Sequence, residues 1–328
     1  PGEYGQVGSY ITGVKMVLPN GDLLEVTEEK QPELMRYVRS SYGTFGIIYE
    51  VTYRVRPLLP LSVHHKTYTV AEFAGALPVL IALNYSMMYY IFPFDDKITI
   101  EFRKYNPDAS GDPNRIAWPF RNHIWAKSGP KFGASVEEHF SIPSIRYGIL
   151  DSFNATWRFQ LEHLVVSENT VPPDQIIQYP AVSDDSRYTF SLFAFPEEQY
   201  AQILAEFCQF CRDYYSQKGY RSNLLDVGYR ILKDQQAWLS YSWNGNVMTI
   251  DPVSTGNPGW KDFLSAYNEF CSSRNGIPLL NQTFGVTPAM ARKAFGGRLK
   301  AMNETRKSFD PDGRLLNEYF RGLLSTEV

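Results

Sequence analysis

A glycine turn that runs directly into a long alternating strand is the strongest constraint in this sequence. Gly43 and Gly46 lie three residues apart, where a turn can use positive φ angles and another molecule can approach bare backbone. From residue 47 onward apolar and polar side chains alternate as far as Pro57, which predicts a strand with one buried face. The side chains expected on that buried face are Ile47, Tyr49, Val51, Tyr53 and Val55.

The order of elements around this turn argues against a dinucleotide-binding fingerprint. That fingerprint runs strand, glycines, helix, whereas here a predicted helix over 31–41 precedes the glycines and a strand follows them. Two glycines before a strand are, taken alone, more often a plain turn than a ligand site. The turn with its following isoleucines and basic strand nevertheless resembles the end of the FAD-binding domain in the vanillyl-alcohol oxidase/p-cresol methylhydroxylase (VAO/PCMH) flavoproteins. The resemblance implies that Gly43, Gly46, Ile47 and Ile48 lie against the adenosine half of FAD.

A second segment, far along the chain, carries the same resemblance. Residues 309–317 read Phe-Asp-Pro-Asp-Gly-Arg-Leu-Leu-Asn, which is similar to the motif with which the family's chain returns from the cap to the FAD-binding domain. Asp-Pro-Asp-Gly is also a sound type I turn, and that is the alternative interpretation. The resemblance adds Asn317 here, and Tyr4, Gly5 and Gly8 in a glycine stretch beside the flavin, as cofactor-binding residues.

Between the two motifs, predicted strands and helices alternate without an internal repeat. The sequence predicts an α+β protein, with part of a PCMH-type FAD-binding domain and an antiparallel-sheet substrate cap flanked by helices. We expect the second FAD subdomain at 1–60, the cap at 61–300 and the return to the FAD-binding domain at 301–328. Strands are predicted at 10–18, 23–27, 47–56, 89–93, 97–104, 156–166, 189–196, 224–232 and 247–251, and helices at 31–41, 197–218, 260–274 and 288–308.

Composition narrows the class of protein. The 328 residues suffice for two domains, and a net charge of −3 with mixed signs gives no footprint for nucleic acid or anionic lipid. The apolar runs are too short to cross a bilayer. Three cysteines and no signal peptide predict a reducing, cytoplasmic location rather than a disulfide framework. The aromatic content of 15% suits aromatic-lined pockets.

The sequence begins at Pro1 in mid-motif, which we interpret as the remainder of a longer protein. In the family the preceding segment carries the pyrophosphate-binding loop and any histidine covalently attached to flavin. We therefore expect this chain by itself to hold FAD weakly. We also expect an exposed apolar face to drive association or to leave residues 1–57 mobile.

Two stretches of the cap depart from the family's sugar-lactone and alditol oxidases. Where those enzymes carry an acid-x-Arg pattern, this chain has Gly228 and keeps only Arg230. Where they carry a histidine and a lysine, it has Leu279 and Gln282. These departures remove the polyol-specific groups and predict a larger, less polar substrate under an aromatic roof.

The catalytic candidates are Arg230, Gln282, Asn281 and His163. On its predicted strand Arg230 could hold an oxyanion or stabilise reduced flavin, and the alternative is a salt bridge with Glu162 or Asp226. The two amides could hydrogen-bond substrate or flavin, or only shape a loop. The histidine is a candidate titrating base, although neighbouring aromatic residues on its predicted face favour a core histidine.

Metal and thiol chemistry is not predicted. His64 and His65 are adjacent and point to opposite sides of a strand, so they cannot share a ligand role. Cys208 and Cys211 lie in the apolar stripe of a predicted helix, which favours core packing over a redox or zinc pair.

The sequence therefore predicts an FAD-dependent oxidoreductase, an oxidase or a dehydrogenase. It would act on an alcohol-type or other largely apolar organic substrate by hydride transfer to flavin and pass electrons to an acceptor. The alternative is a flavin-free fragment or paralogue that serves as a binding or assembly module. No nucleic-acid partner is expected, and a homo-oligomer is left open.

Overall fold

The structure is a computed structural model that describes residues 5–57, 59–106, 117–165, 167–171 and 187–324. Within these ranges the chain forms a small three-stranded sheet and a large antiparallel sheet, both packed against helices. The predicted α+β class is confirmed. No helix in these ranges combines the length and the apolar character needed to cross a membrane.

Thirteen strands and ten α-helices are numbered in chain order within the described ranges. The strands are β1 (Ile11–Val17), β2 (Leu23–Thr27), β3 (Ile47–Tyr53), β4 (Leu61–Thr69), β5 (Ser86–Phe92), β6 (Lys97–Tyr105), β7 (Ser167–Val171), β8 (Thr189–Phe190), β9 (Phe193–Pro196), β10 (Asp226–Ile231), β11 (Val247–Ile250), β12 (Val253–Ser254) and β13 (Ile277–Pro278). The α-helices are α1 (Pro32–Val38), α2 (Val70–Ala82), α3 (Ala117–His123), α4 (Gly129–His139), α5 (Pro143–His163), α6 (Tyr200–Lys218), α7 (Trp260–Ser273), α8 (Pro288–Phe295), α9 (Gly297–Phe309) and α10 (Glu318–Leu323).

The small sheet has the strand order β2-β1-β3 and is antiparallel throughout. Gly21, with φ at 90°, closes the predicted hairpin between β1 and β2. The turn before β3 uses positive φ at Tyr42 (50°) and at Gly43 (78°), as the glycine spacing led us to expect.

The side chains of β3 that we expected in the core are exposed, so that prediction was wrong. Ile47 is 64% exposed and Tyr49 is 55% exposed. Two features explain this. β3 lies at the edge of its sheet, and a register shift opposite β1 leaves Tyr49 unpaired, so that Ile48 rather than Tyr49 lies opposite Met16 and reaches the core.

Helices α8 to α10 close the core of the small sheet. Met16 of β1, Phe45 of the glycine turn and Phe320 of α10 belong to one buried cluster, together with Leu280. The single helix predicted at 288–308 is divided at Gly296, whose φ is 54°, into α8 and α9. Residues 280–299 thus share a core with the small sheet, and the expected domain boundary at residue 300 stays a prediction.

The large sheet has the strand order β13-β9-β11-β10-β5-β6-β4-β7 and both of its faces carry helices. Along β5, Tyr89 faces the cluster that contains α2, α6 and α7, whereas Tyr90 faces a second cluster with Trp118 of α3 and Trp157 of α5. We call the face on which Tyr89 lies the helix-backed face, and the face on which Tyr90 lies the inner face. Cys208 and Cys211 are buried in the helix-backed core, where burial raises the pKa of the Cys208 thiol to about 12.

The strand predicted at 156–166 is wrong, because this segment belongs to α5. Trp157 and Leu161 are both buried and lie four residues apart, which is the spacing of one helical face. The apparent alternation of apolar and polar residues there was accidental. His163 is consequently the last residue of a helix and not part of a sheet.

Candidate active site

An open groove of about 540 Å³ brings together three of the predicted site residues. Asn281, Gln282 and Asn317 all line it, although the first two lie well apart from the third in the sequence. The opposite wall is formed by residues 188–190, which include β8. We refer to it as the groove.

Loop hydrogen bonds fix the position of the two adjacent amides. The backbone N–H of Gln282 donates to the Leu279 carbonyl at 2.9 Å, and the Thr283 hydroxyl donates to the Leu192 carbonyl at 2.7 Å. Asn281 is exposed and Gln282 half-buried, and neither side chain hydrogen-bonds another residue in the described part of the chain. Both amides are therefore available to hydrogen-bond a ligand.

Asn317 has a structural task of its own. Its Oδ1 accepts the Phe320 N–H at 2.9 Å and so caps the start of α10. The preceding turn is held by Asp310, whose two carboxylate oxygens accept the N–H groups of Arg314 and Leu315 at 2.9 Å each. The turn interpretation of this motif is thus correct, and the same turn places Asn317 at the groove.

Aromatic rings line the floor and rim of the groove. The Tyr42 ring stacks on Phe320 with centroids 5.3 Å apart, and burial raises the pKa of the Tyr42 hydroxyl far above its usual range. Tyr319 donates to the Thr283 carbonyl at 3.3 Å, and burial raises its pKa to about 12. Phe284 remains 65% exposed at the rim. The groove therefore offers apolar faces with a few amide groups between them.

The two glycines of the turn before β3 differ in why they lack a side chain. A Cβ on Gly46 would lie 2.9 Å from both the Val17 carbonyl oxygen and the Met16 sulfur, so Gly46 is needed for close packing against β1. A Cβ on Gly43 would meet nothing within 4 Å, and its φ of 78° is what favours glycine. Bare, approachable backbone is thus found at Gly43 rather than at Gly46.

The glycine stretch at the start of the described chain packs against the end of β10 and the small sheet. A Cβ on Gly5 would lie 2.0 Å from the Leu232 carbonyl oxygen, whereas one on Gly8 would lie 3.6 Å from the Arg39 carbonyl oxygen. Ser9, next to Gly8, is 2% exposed, and its hydroxyl has no hydrogen-bond partner among the described residues. Tyr4 lies outside the described residues.

Arg230 lies on the helix-backed face and pairs with neither Glu162 nor Asp226, the two partners that the alternative interpretation named. Its Nε lies 2.5 Å from an oxygen of Glu197, at the residue where the chain enters α6 through a 3-10 turn. Its Nη1 reaches the side-chain oxygen of Asn84 at 3.4 Å. Glu162 instead accepts the Thr67 N–H at 2.5 Å.

His163 makes its contacts with Phe159 and not with the residues that line the groove. It is exposed, its ring stacks on Phe159 with centroids 4.3 Å apart, and its Nδ1 lies 2.9 Å from the Phe159 carbonyl oxygen. This local arrangement belongs to the end of α5. The structure therefore groups Asn281, Gln282 and Asn317, and leaves Arg230 and His163 elsewhere.

A buried ionic cluster on the inner face was missed by sequence reasoning. Glu101 of β6 is fully buried, with one oxygen 3.0 Å from His65 Nε2 and 3.0 Å from Arg121 Nη2, and the other 2.5 Å from Arg103 Nη2. Burial alone would raise the pKa of Glu101, but Arg103 and Arg121 outweigh it and hold that pKa well below its usual range. The one signal in the sequence was that Glu101 and Arg103 share a face of their strand.

No group of three or more metal-ligating side chains occurs among the described residues. His64 stacks on Phe102 with centroids 4.7 Å apart, while His65 points to the other side of β4 toward Glu101. The two histidines therefore face opposite sides of β4, as their adjacent positions predict.

Comparisons with known proteins agree with this architecture. No protein-family model matches the chain. Over 60 residues it is 40% identical to the putative D-arabinono-1,4-lactone oxidase of Neurospora crassa, a match that covers 18% of this chain and 11% of that protein. Over 54 residues it is 37% identical to the FAD-linked oxidoreductase srdI of the same organism, covering 16% of this chain and 11% of that protein.

A solved structure covers nearly all of the chain. The cholesterol oxidase from B. sterolicum superposes with a TM-score of 0.68 at 15% identity, over 98% of this chain and 70% of that one. The chain has the VAO/PCMH fold. The predicted resemblance is thereby confirmed at the level of the fold.

The VAO/PCMH fold is represented here in part. The chain spans about 70% of the solved cholesterol oxidase, and its matches to the two curated relatives span 11% of each. Within the shared fold the groove lies between segments that pack with the small sheet, at 280–284 and 317–320, and the wall at 188–190.

Proposed function

We propose that the chain is part of an FAD-dependent oxidoreductase that acts on an alcohol-type or other largely apolar organic substrate. The observation that carries this proposal is the groove, in which aromatic faces from three separate segments converge with the unpaired amides of Asn281 and Gln282 within a VAO/PCMH fold. The relatives named as a lactone oxidase and an FAD-linked oxidoreductase support the same reaction class.

The residues near the small sheet fit a bound FAD. The open space in front of Gly43 would let a flat ring approach the turn backbone, and the buried Ser9 hydroxyl beside Gly8 is a hydrogen-bonding group in need of a partner. We propose that Gly8, Gly43 and the backbone of Ile47 and Ile48 contact the cofactor. Gly5 and Gly46 would contribute by allowing neighbouring chain segments to pack closely.

Bound FAD would supply the hydride acceptor, and the protein would bind and orient the substrate. We assign that orientation to Asn281 and Gln282, because their side chains are accessible from the groove and unused elsewhere in the described residues. The pairing of Arg230 with Glu197 supports a role for Arg230 in stabilising the cap. His163 is exposed at the end of α5, so we assign it no contact with the substrate.

The aromatic lining of the groove favours an apolar substrate, and a second, much smaller apolar space lies on the inner face. This cap cavity has a volume of about 40 Å³ and is lined mainly by apolar side chains, among them Trp125, Phe132, Leu150, Trp157, Tyr188 and Val253. Tyr188 also lines the groove. The absence of polyol-binding groups at Gly228 and Leu279 points the same way. A reducing, cytoplasmic location would suit the three buried, unpaired cysteines.

Anaerobic reduction of flavin tests the proposal. Protein purified with this chain in its natural context and incubated with FAD should acquire the visible absorption of protein-bound oxidised flavin. Apolar secondary and aromatic alcohols should bleach that absorption faster than sugar alcohols do. A folded protein that takes up no flavin would support the alternative, a binding or assembly module. Bleaching by polyols alone would contradict the proposal of an apolar substrate.

A further inference from the structure

Tyr42 holds a backbone conformation that is unusual for its residue type. Its φ is 50°, and the other non-glycine residues with positive φ in the described ranges are Asn84, Asp96 and Asn275. Asn and Asp tolerate this conformation, whereas a bulky side chain in it is an outlier that the surrounding structure must maintain, often at a functional site. The proposed function gives Tyr42 no task. The contacts of its side chain show what maintains it.

The turn that contains Tyr42 is closed by two hydrogen bonds. Thr44 donates its N–H and its hydroxyl to the Ser41 carbonyl at 2.9 and 2.7 Å. Tyr42 and Gly43 are the central residues of this turn, and both have positive φ, as in a type I′ turn. A Cβ on Gly43 would meet nothing within 4 Å. One turn thus presents accessible backbone at Gly43 and, directly before it, the side chain of Tyr42.

The Tyr42 ring contacts the segment of the groove that begins α10. It stacks on Phe320, with the ring centroids 5.3 Å apart and an angle of 28° between the ring planes. Phe320 lines the groove, and its N–H donates to Oδ1 of Asn317, which lines the groove as well. The position of the 317–320 segment is therefore tied to that of Tyr42.

The Tyr42 hydroxyl contacts the segment that carries the two groove amides. Burial raises the pKa of this hydroxyl, and a hydrogen bond from the Leu280 backbone N–H opposes the rise. Leu280 lines the groove and directly precedes Asn281. The Tyr319 hydroxyl is also close enough to interact with Tyr42, and it donates to the Thr283 carbonyl at 3.3 Å. One side chain thus contacts both segments that bring amides to the groove.

We propose that Tyr42 couples the glycine turn to the groove, so that a ligand on the backbone of Gly43 and a ligand in the groove bind with positive cooperativity. A ligand at Gly43 orders the turn, and through Tyr42 it orders Leu280 and Phe320. The groove ligand then loses less conformational freedom when it binds. Tyr42 acts through these neighbours and is a positioning residue. The identity of the two ligands, the adenosine half of FAD and an apolar alcohol, rests on the proposed function.

Two calorimetric titrations of the whole protein measure the coupling. 2-Naphthol is titrated with and without saturating ADP, which carries the adenosine portion of FAD. We expect ADP to tighten the binding of 2-naphthol about fivefold, which is the lower end of the range for coupled sites. By linkage, 2-naphthol should tighten the binding of ADP by the same factor. No change in a protein that binds both probes overturns the proposal.

Variants of Tyr42 separate coupling from structural support. Tyr42→Asn suits the positive φ and should stay folded, but it should lose the fivefold effect because the ring and the hydroxyl are gone. Tyr37→Leu is the matched control, since Tyr37 packs on the same core and its ring contacts are with Phe45 and Trp238, which do not line the groove. It should keep the effect. A fivefold effect that persists in Tyr42→Asn contradicts the role of Tyr42.

Hydrogen exchange tests the same link without a second ligand. In Tyr42→Phe the Leu280 N–H loses its acceptor, so exchange at residues 279–283 should become about tenfold faster, the scale of one hydrogen bond. Tyr37→Phe should leave it unchanged. Unchanged exchange in Tyr42→Phe overturns the proposal whatever the protein binds. If the protein binds neither ADP nor 2-naphthol, the proposed function fails, and faster exchange in Tyr42→Phe still supports the link between Tyr42 and the groove.

Discussion

Arg230 and Glu197 form an ion pair that joins the end of β10 to the turn leading into α6, with Nε and Oε2 2.5 Å apart. Only 5% of the Arg230 side chain and 11% of the Glu197 side chain are exposed. The pair therefore holds a strand of the large sheet to the helix that backs it.

We expect Arg230→Met to lower the free energy of unfolding by about 3–5 kcal/mol, because the substitution leaves the buried Glu197 carboxylate without its partner. Chemical denaturation of the two proteins measures this loss. Arg274→Met is the matched control, since the Arg274–Glu206 pair is about one third exposed on both sides and its loss should cost about 1 kcal/mol or less. If Arg230→Met unfolded like the wild type but failed to reduce flavin, the result would support a catalytic role for Arg230 instead of a structural one.

Stability should fall as pH rises from about 4 to about 8, through Asp226. Burial raises the pKa of this carboxyl to about 8, so the folded state binds a proton that the unfolded chain has already released in this pH range. The penalty is absent below the unfolded pKa and is complete above the folded one, with a slope of up to about 1.4 kcal/mol per pH unit. Asp226→Asn should flatten the dependence, as measured by urea unfolding across this range. An unchanged slope in the variant would assign the effect to Asp251, which has a raised pKa of the same origin.

Gly43 and Gly46 should respond to substitution in opposite ways. Gly46→Ala places a Cβ against the Val17 carbonyl and should destabilise the small sheet, on the scale of about 1–3 kcal/mol for an overpacked core. Gly43→Asn keeps a residue type that tolerates positive φ, so stability should change little while the new side chain obstructs the proposed adenosine contact.

Flavin affinity and melting temperature, measured together, separate the two effects. Gly21→Asn is the control, because Gly21 also has positive φ and open space but lies in the hairpin between β1 and β2. It should bind flavin as the wild type does. Normal flavin affinity in Gly43→Asn would remove Gly43 from the cofactor site.

The exposed apolar side chains of β3 should promote self-association of this chain. β3 is an edge strand, and an apolar edge is a template for pairing with another chain. The double substitution of Tyr49 and Val51 by lysine should shift the sedimentation profile toward the monomer. Lysine in place of Val79, which is 65% exposed on α2, serves as the control and should leave the profile unchanged. Association that persists in the β3 variant would place the contact elsewhere.

Local patterns in the sequence predicted many elements and failed where tertiary packing decides. The hairpin at Gly21, the strands β5 and β6 and the helix α6 followed from turn chemistry and periodicity. The buried face of β3 did not, because a single inserted residue at Tyr49 changes which side chain reaches the core. The helix α5 was mistaken for a strand because a short apolar alternation matched a period of two by chance.

The groove was predictable only through resemblance to a family. Asn281, Gln282 and Asn317 were proposed from motif positions, and the fold brings them to one surface. The ionic cluster at Glu101 could not be foreseen, because Arg121 comes from a helix in a region without clear periodicity. A single sequence shows which residues share a strand face, but not which distant helix supplies their partners.

The core of the small sheet is assembled from two stretches that the ribosome makes far apart in time. Residues 11–53 supply the strands and α1, whereas α8 to α10 supply the helices that cover them, and α8 begins about 235 residues later. At a synthesis rate of 5–20 residues per second, the strands are made roughly ten to forty-five seconds before the helices that cover them. The strands of the large sheet and the helices on its helix-backed face come from one continuous stretch and can fold during that interval. The nascent small sheet therefore exposes its apolar face during that interval.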